Sequence, residues 1–318
     1  MATVIETRAR TKKYGRLTAL DQVDLTVEQD AVFGFIGPNG AGKTTTMRIL
    51  TTLLRPTSGE AFIAGASVLR DPRAVRRAIG YMPDFFGVYD DMKVWEYLDF
   101  FAACYDIPES RRSGLVDDLL HLVDLHHRRD DFVDKLSRGM KQRLCLARTL
   151  AHDPQVLILD EPASGLDPRA RIEMRELLRE LRGMGKTIFF SSHILSEVAE
   201  ICTHIGVLEA GKLVAAGAID DMRRRLIPHR VLKIDLLDRV EEAREALLGV
   251  PGIAEVRAGG ENTPLGRRQL QIDFSGDDVE LSAILAALTA RGIPVVGFSE
   301  DHADLEDVFM RITQGIVS

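Results

Sequence analysis

With 318 residues, 45% of them hydrophobic, the chain can form one large domain or two modest ones with sizeable cores. A formal net charge of -7 and the lack of a long basic block argue against nucleic acid as a partner, and no run of roughly 18 uncharged apolar residues offers a membrane span. The opening MATVIETRARTKKYG lacks the apolar stretch of a signal peptide, and Cys104, Cys145 and Cys202 have no metal-ligand spacing, so reduced thiols in a cytosolic protein are expected, with any membrane role supplied by a partner.

Residues 18–36 read as two strands. Val23, Leu25 and Val27 alternate with polar residues, and Ala31 to Ile36 form a short apolar run that ends in a glycine-rich loop. Thr44 to Leu54 has helical composition and stops before Pro56. Gly37-Pro38-Asn39-Gly40-Ala41-Gly42-Lys43-Thr44-Thr45 therefore fits GxxxxGK[ST] in the strand–loop–helix setting that a phosphate cradle needs. Glycines let successive NH groups point inward, and the helix presents its positive end to the same anion. Lys43 is expected to reach the β- and γ-phosphates, Thr44 to offer magnesium a hydroxyl, and Thr45 to add a phosphate contact.

From about Phe85 to Leu150 the pattern turns helical, with Val94–Tyr105, Gly114–Leu125 and Arg138–Leu150 as three helices. Strand and helix then alternate: Val156–Leu159, Arg169–Gly183, Thr187–Ser191 and Ile194–Ile201, which favours a mainly parallel sheet flanked by helices. The apolar run Val156-Leu-Ile-Leu ends in Asp160-Glu161-Pro. Adjacent side chains at a strand end diverge, so Asp160 can hold magnesium while Glu161 faces a water as general base. His126 and His127, in HHRRDD, read as a solvated helix end rather than a metal site.

These motifs resemble the ATP-binding subunit of ABC transporters over about residues 3–222. The resemblance implies ATP and Mg2+ as cofactors, a homodimer or heterodimer of ATPase subunits, and separate transmembrane permease subunits that hold the chain at the inner face of the cell membrane. Leu136-Ser-Arg-Gly-Met140 stands where the family has LSGGQ, and by analogy Ser137 and Gly139 contact the γ-phosphate of ATP held by the other subunit. Ser137 also suits a helix cap on its own account. His193, in SSH, matches the family's γ-phosphate switch histidine, Asp167 the loop linking the two sites, and Tyr14, in KKYG ahead of the first strand, the aromatic that stacks on adenine. Asp84, in Ile79-Gly-Tyr-Met-Pro-Asp84, replaces the usual glutamine; it is kept as a metal-site residue, or else it caps the next turn. Arg138 and Met140 replace a glycine and a glutamine, while the serine and glycine that would touch phosphate remain. Hydrolysis is expected to be retained. The alternatives are an ABC ATPase uncoupled from transport and a nucleotide-gated module that hydrolyses weakly.

A boundary is expected near Met222–Arg230, giving an ATP-binding domain over 1–225, with its helical subdomain at about 85–150, and a C-terminal domain over 228–318 for dimer contacts or regulation. Beyond it the order is strand Val231–Leu236, helix Val240–Leu248, strands Ile253–Arg257 and Gln269–Phe274, helix Val279–Arg291, strand Pro294–Ser299 and a final helix from Leu305. The expected fold class is thus α/β, a P-loop ATPase core with antiparallel β and helical subdomains, plus a ferredoxin-like βαββαβ domain. Asp304-Leu-Glu-Asp-Val-Phe-Met-Arg-Ile-Thr resembles the C-terminal segment of drug-resistance exporter ATPases of the daunorubicin type.

Overall fold

The computed structural model describes residues 2–85, 87, 89–226, 230–258 and 268–301. It divides into two compact units, Met1–Ile219 and Asp220–Ser318.

The first unit holds two sheets. β1 (Thr3–Tyr14), β2 (Leu17–Glu28), β4 (Ser58–Ile63) and β5 (Ala66–Ser67) form an antiparallel sheet in the order β2-β1-β4-β5. The sequence places the first strand after Tyr14, whereas β1 runs from Thr3 and ends on Tyr14. Its period-two signal is broken by register shifts between Thr3 and Ile5 and between Thr7 and Arg10, where Ala9 takes φ 45°. Each bulge swaps the inward and outward faces, and Arg10 thereby becomes a fully buried residue of the strand.

The second sheet has the order β10-β9-β3-β8-β7-β6, with β3 (Val32–Ile36), β6 (Ile79–Met82), β7 (Val156–Asp160), β8 (Thr187–Ser192) and β9 (His204–Glu209) parallel. β10 (Lys212–Ala218) closes one edge antiparallel. β3 and β7 are buried at every position, as a sheet covered on both faces requires. Val23, Leu25 and Ile63 of the first sheet share one core with Phe35, Ile158 and Phe189 of the second, and the Phe35 and Phe189 rings lie 5.3 Å apart.

Helix boundaries follow local chemistry. α1 (Lys43–Leu50) begins at Gly42 (φ 110°) and stops four residues before the sequence suggests, because Thr52 turns left-handed (φ 66°) and Leu53 and Leu54 NH both return to Arg48 O. α2 (Pro72–Ala78) is capped by Asp71, with proline at its first position. α3 (Val94–Cys104), α4 (Glu109–Leu122) and α5 (Arg138–Leu150) are the three helices of the insert. α4 starts five residues earlier than the expected Gly114, after Pro108, which ends the preceding turn and supplies a helix-compatible φ of -58°. α6 (Pro168–Gly183) is capped by Asp167, whose carboxylate accepts the Ala170 NH at 2.9 Å, and α7 (Leu195–Ile201) follows β8. α8 (Ile219–Leu226) begins at the junction of the units.

In the second unit, β11 (Arg230–Leu236), α9 (Val240–Leu248), β12 (Ile253–Ala258), β13 (Arg268–Phe274), α10 (Asp278–Ala290) and β14 (Val295–Asp301) form an antiparallel sheet of order β12-β13-β11-β14 with two helices. That is the strand order of a ferredoxin-like βαββαβ unit. Leu232, Ile234, Ile272, Phe274 and Ile284 make its separate core. The expected helix from Leu305 and the segment Asp304–Thr313 lie outside the described residues.

Candidate nucleotide site

β3 is central to its sheet, flanked by β8 and β9, and the loop leaving its carboxyl end is where an open α/β sheet binds ligands. Backbone approach is tight here: a Cβ on Gly37 would lie 2.2 Å from Leu208 O, and one on Gly42 2.7 Å from Ala19 O. Only glycine fits either place. Gly40 (φ 82°) faces open space, so its glycine serves the turn alone.

The loop opens into a cleft of about 450 Å³ lined by Tyr14, Leu17, Ala19, Asn39, Gly40, Gly42, Lys43, Thr44, Thr45, Asp84, Glu161, Ser164 and His193. Gly37 and Pro38 lie behind that wall and hold the lysine: Lys43 Nζ donates to their carbonyls at 2.7 and 3.3 Å. Ala41 is buried under the loop. Lys43 Nζ also stands 3.6 Å from Glu161 Oε1, a close cation–carboxylate pair with both side chains largely buried.

β7 and β8 are in register with Asp160 beside Ser191. The Ser191 hydroxyl donates to Asp160 Oδ1 at 2.7 Å and accepts the Glu161 NH at 3.0 Å, so one serine fixes both acids. Asp160 is almost completely buried, and its Oδ2 makes no hydrogen bond among the described residues. A buried carboxylate oxygen with no donor is unfavourable unless a cation or water meets it, and this is the chemistry of a magnesium ligand. Burial, and secondly the Asp160 charge, push the nearby Tyr81 hydroxyl up to about 12, so that side chain stays neutral beside the acids.

Glu161 adopts φ 53°, a left-handed backbone disfavoured for a residue with a side chain. The result is that its carboxylate turns into the cleft, where Oε2 meets His193 Nδ1 at 2.8 Å. Lys43, Glu161 and His193 thus converge from three elements. Tyr14 is half-exposed at the rim with Lys12 Nζ 4.9 Å from its ring centre, and Asp84 is exposed on the wall.

Ser137, Gly139 and Asp167 do not line this cleft. Ser137 caps α5, its hydroxyl accepting the Met140 NH at 3.3 Å, and Gly139 lies against α6, where a Cβ would come 3.0 Å from that of Ala170. Sequence reasoning passes over Ser191 and Ser164. Ser191 had a signal, a hydroxyl following the apolar run Ile188–Phe190, whereas Ser164 reaches the cleft only through the turn after β7.

A phosphate loop at the carboxyl end of a central strand, with an acid pair one strand away across β8, defines a P-loop nucleoside triphosphatase. The family model described as ABC transporter matches residues 20–164. The bacitracin transport ATP-binding protein BcrA of Bacillus licheniformis is 40% identical over 226 residues, 71% of this chain and 73% of that protein. The daunorubicin resistance ATP-binding protein DrrA3 of Streptomyces coeruleorubidus is 33% identical over 311 residues, 98% of this chain and 96% of that protein. A solved ATP-binding subunit of an ABC transporter superposes with a TM-score of 0.64 at 30% identity, covering 70% of this chain and 93% of that one. A dimeric ATP-binding cassette in a post-hydrolysis state bound to ADP and Pi shares the fold, with a TM-score of 0.61 at 24% identity over 68% of this chain and 98% of that one. The chain belongs to the ABC transporter family, as an ATP-hydrolysing subunit of the branch that includes drug-resistance exporters.

Proposed function

We propose that this chain powers export by closing as a dimer on ATP, in concert with separate permease subunits at the inner face of a membrane. The convergence of Lys43, Glu161 and His193 on one cleft carries the reading. The loop Gly37–Thr45 receives the phosphates, and Lys43 turns from the Gly37 and Pro38 carbonyls to the β- and γ-phosphates. Tyr14 stacks on the adenine. Thr44 and Asp160 would hold Mg2+, with Asp84 as a further oxygen ligand, and the ion when bound would neutralise charge on the phosphates.

Glu161 accepts a proton from the attacking water as the bond from the γ-phosphorus to the bridging oxygen breaks, leaving ADP and phosphate. His193, bonded to that carboxylate, orients it and senses the γ-phosphate. Ser137, Gly139 and Asp167 act on the site of the second copy, which explains their absence from the cleft of their own. Support for a permease partner comes from the relatives and from the insert's surface, where Phe85 is exposed and the exposed rings of Tyr89 and Phe100, the latter on α3, lie 5.8 Å apart. No helix among the described residues is long and apolar enough to cross a membrane.

The test is Mg2+-dependent ATP turnover by the chain in membranes with its permease. Glu161→Gln should lower kcat by roughly a hundredfold or more while ATP binding persists. Unchanged turnover in that variant refutes the assignment.

A further inference from the structure

The turn between β7 and α6 is built on a disfavoured backbone, and something must hold it. Within the turn, Ser164 NH donates to Glu161 O at 3.0 Å, and Arg171 Nε binds Leu166 O at 3.0 Å from the α6 side. At its start β8 holds it, Ser191 Oγ accepting the Glu161 NH at 3.0 Å, and α5 adds two further ties. Arg138 and Gln142 are four residues apart and so share one face of that helix. Arg138 Nη2 donates to Ser164 O at 3.1 Å, and the buried Gln142 Nε2 donates to Pro162 O.

The Arg138 guanidinium lies flat against the next residue: a Cβ on Gly165 (φ 68°) would fall 2.5 Å from Cζ. Gly139, between the two side chains, lets α5 approach the start of α6 closely. Two alternate carbonyls of the turn are therefore gripped from successive turns of one helix, the helix whose first residue follows Ser137.

We propose that Arg138 and Gln142 are positioning residues, a two-point clamp that keeps the turn after β7 in the conformation that aims Glu161 into the cleft. The clamp rests on the reading of Glu161 as the general base. Its logic is that arginine, where the resemblance leads one to expect glycine, contributes a charged donor to a backbone carbonyl 26 positions away. The position thus exchanges a bare helix end for a tie to the catalytic turn. Neither side chain lines the cleft, so the clamp governs the orientation of the base and not the hold on nucleotide.

The experiment is steady-state ATP hydrolysis by the full chain with its permease, for Arg138→Met, Gln142→Met and Arg138→Lys, with Trp95 fluorescence in urea confirming that each variant folds. Both methionine variants should lose roughly tenfold in kcat, the rate equivalent of about one hydrogen bond's worth of misplacement of the base, with the KM for ATP within about twofold. Arg138→Lys, which keeps a charged donor on a long stem, should recover most of the rate. Because Arg138 is exposed, its variants report even if Gln142→Met does not fold.

An unchanged kcat in Arg138→Met overturns the clamp. So does a raised KM at unchanged kcat, which would put the guanidinium on the nucleotide itself, or a lysine variant as slow as the methionine one. Glu161→Gln run alongside separates the two levels: turnover that survives it refutes the base, whereas its loss together with a fully active Arg138→Met refutes the clamp alone.

Discussion

Arg10 carries a stability prediction that can be worked from the structure. Its side chain is fully buried in β1, and Nε, Nη1 and Nη2 make no hydrogen bond among the described residues. Burial pushes the guanidinium down from its ordinary value to about 9. At about 1.4 kcal/mol for each tenfold change in proton affinity, that is a penalty on the order of 5 kcal/mol at neutral pH, a ceiling that relaxation and water penetration reduce. Methionine has a similar unbranched shape and no charge to desolvate, so Arg10→Met should stabilise the first unit by about 1–4 kcal/mol. A gain of about 2 kcal/mol raises the midpoint temperature by roughly 4–8 °C for a unit of this size.

The assay is thermal and urea unfolding followed at Trp95, the single tryptophan, which lies in the same unit as Arg10. The pH dependence fixes the sign. Below about 9 the guanidinium is charged in both states and the whole penalty is present. As pH rises above about 9 the folded chain sheds that proton before the unfolded chain does, so the wild type recovers and the advantage of methionine shrinks. A methionine variant less stable than wild type at pH 7, or an advantage that does not diminish at pH 10, refutes the reasoning.

Two further outcomes follow from the cleft. Gly37→Ala drives a methyl group into Leu208 O and should cost about 1–3 kcal/mol in a urea titration and abolish ATP binding, whereas Gly40→Ala, facing open space, should cost only about 1 kcal/mol of backbone strain. An equal penalty at the two positions would contradict the difference in packing. If the proposed stacking of Tyr14 on adenine holds, Tyr14→Ala should weaken ATP binding roughly tenfold in a fluorescent-nucleotide titration while leaving kcat at saturation within twofold.

What could be read from the sequence was whatever rests on local pattern. The strand–loop–helix around Lys43, the apolar run before Asp160 and the capped start of α5 are each set by neighbours within a few residues. β1 was not legible, because its bulges invert the alternation and put an arginine inside. β9 and β10 escaped as well, although Glu209-Ala-Gly211, with Ala210 and Gly211 both at positive φ, is a hairpin signal between apolar residues. The ties that organise the site span long separations, Ser191 to Asp160 and Arg138 to Ser164, and no periodicity encodes them.

The three cysteines sit at graded depths. Cys104 is exposed at the end of α3. Burial raises the Cys145 thiol to about 11, beneath Arg148. Cys202 is partly exposed as a residue, yet its sulfur is pressed so closely on β3 that a Cβ on Gly34 would lie 2.7 Å from it, and its thiol is raised well above the usual value. The thiolate is the reactive species, so an alkylating reagent should modify Cys104 at once, with the other two waiting on local opening. The chain therefore carries its own breathing clock, one hand read within α5 and the other at the end of α7, where Cys202 meets the central strand.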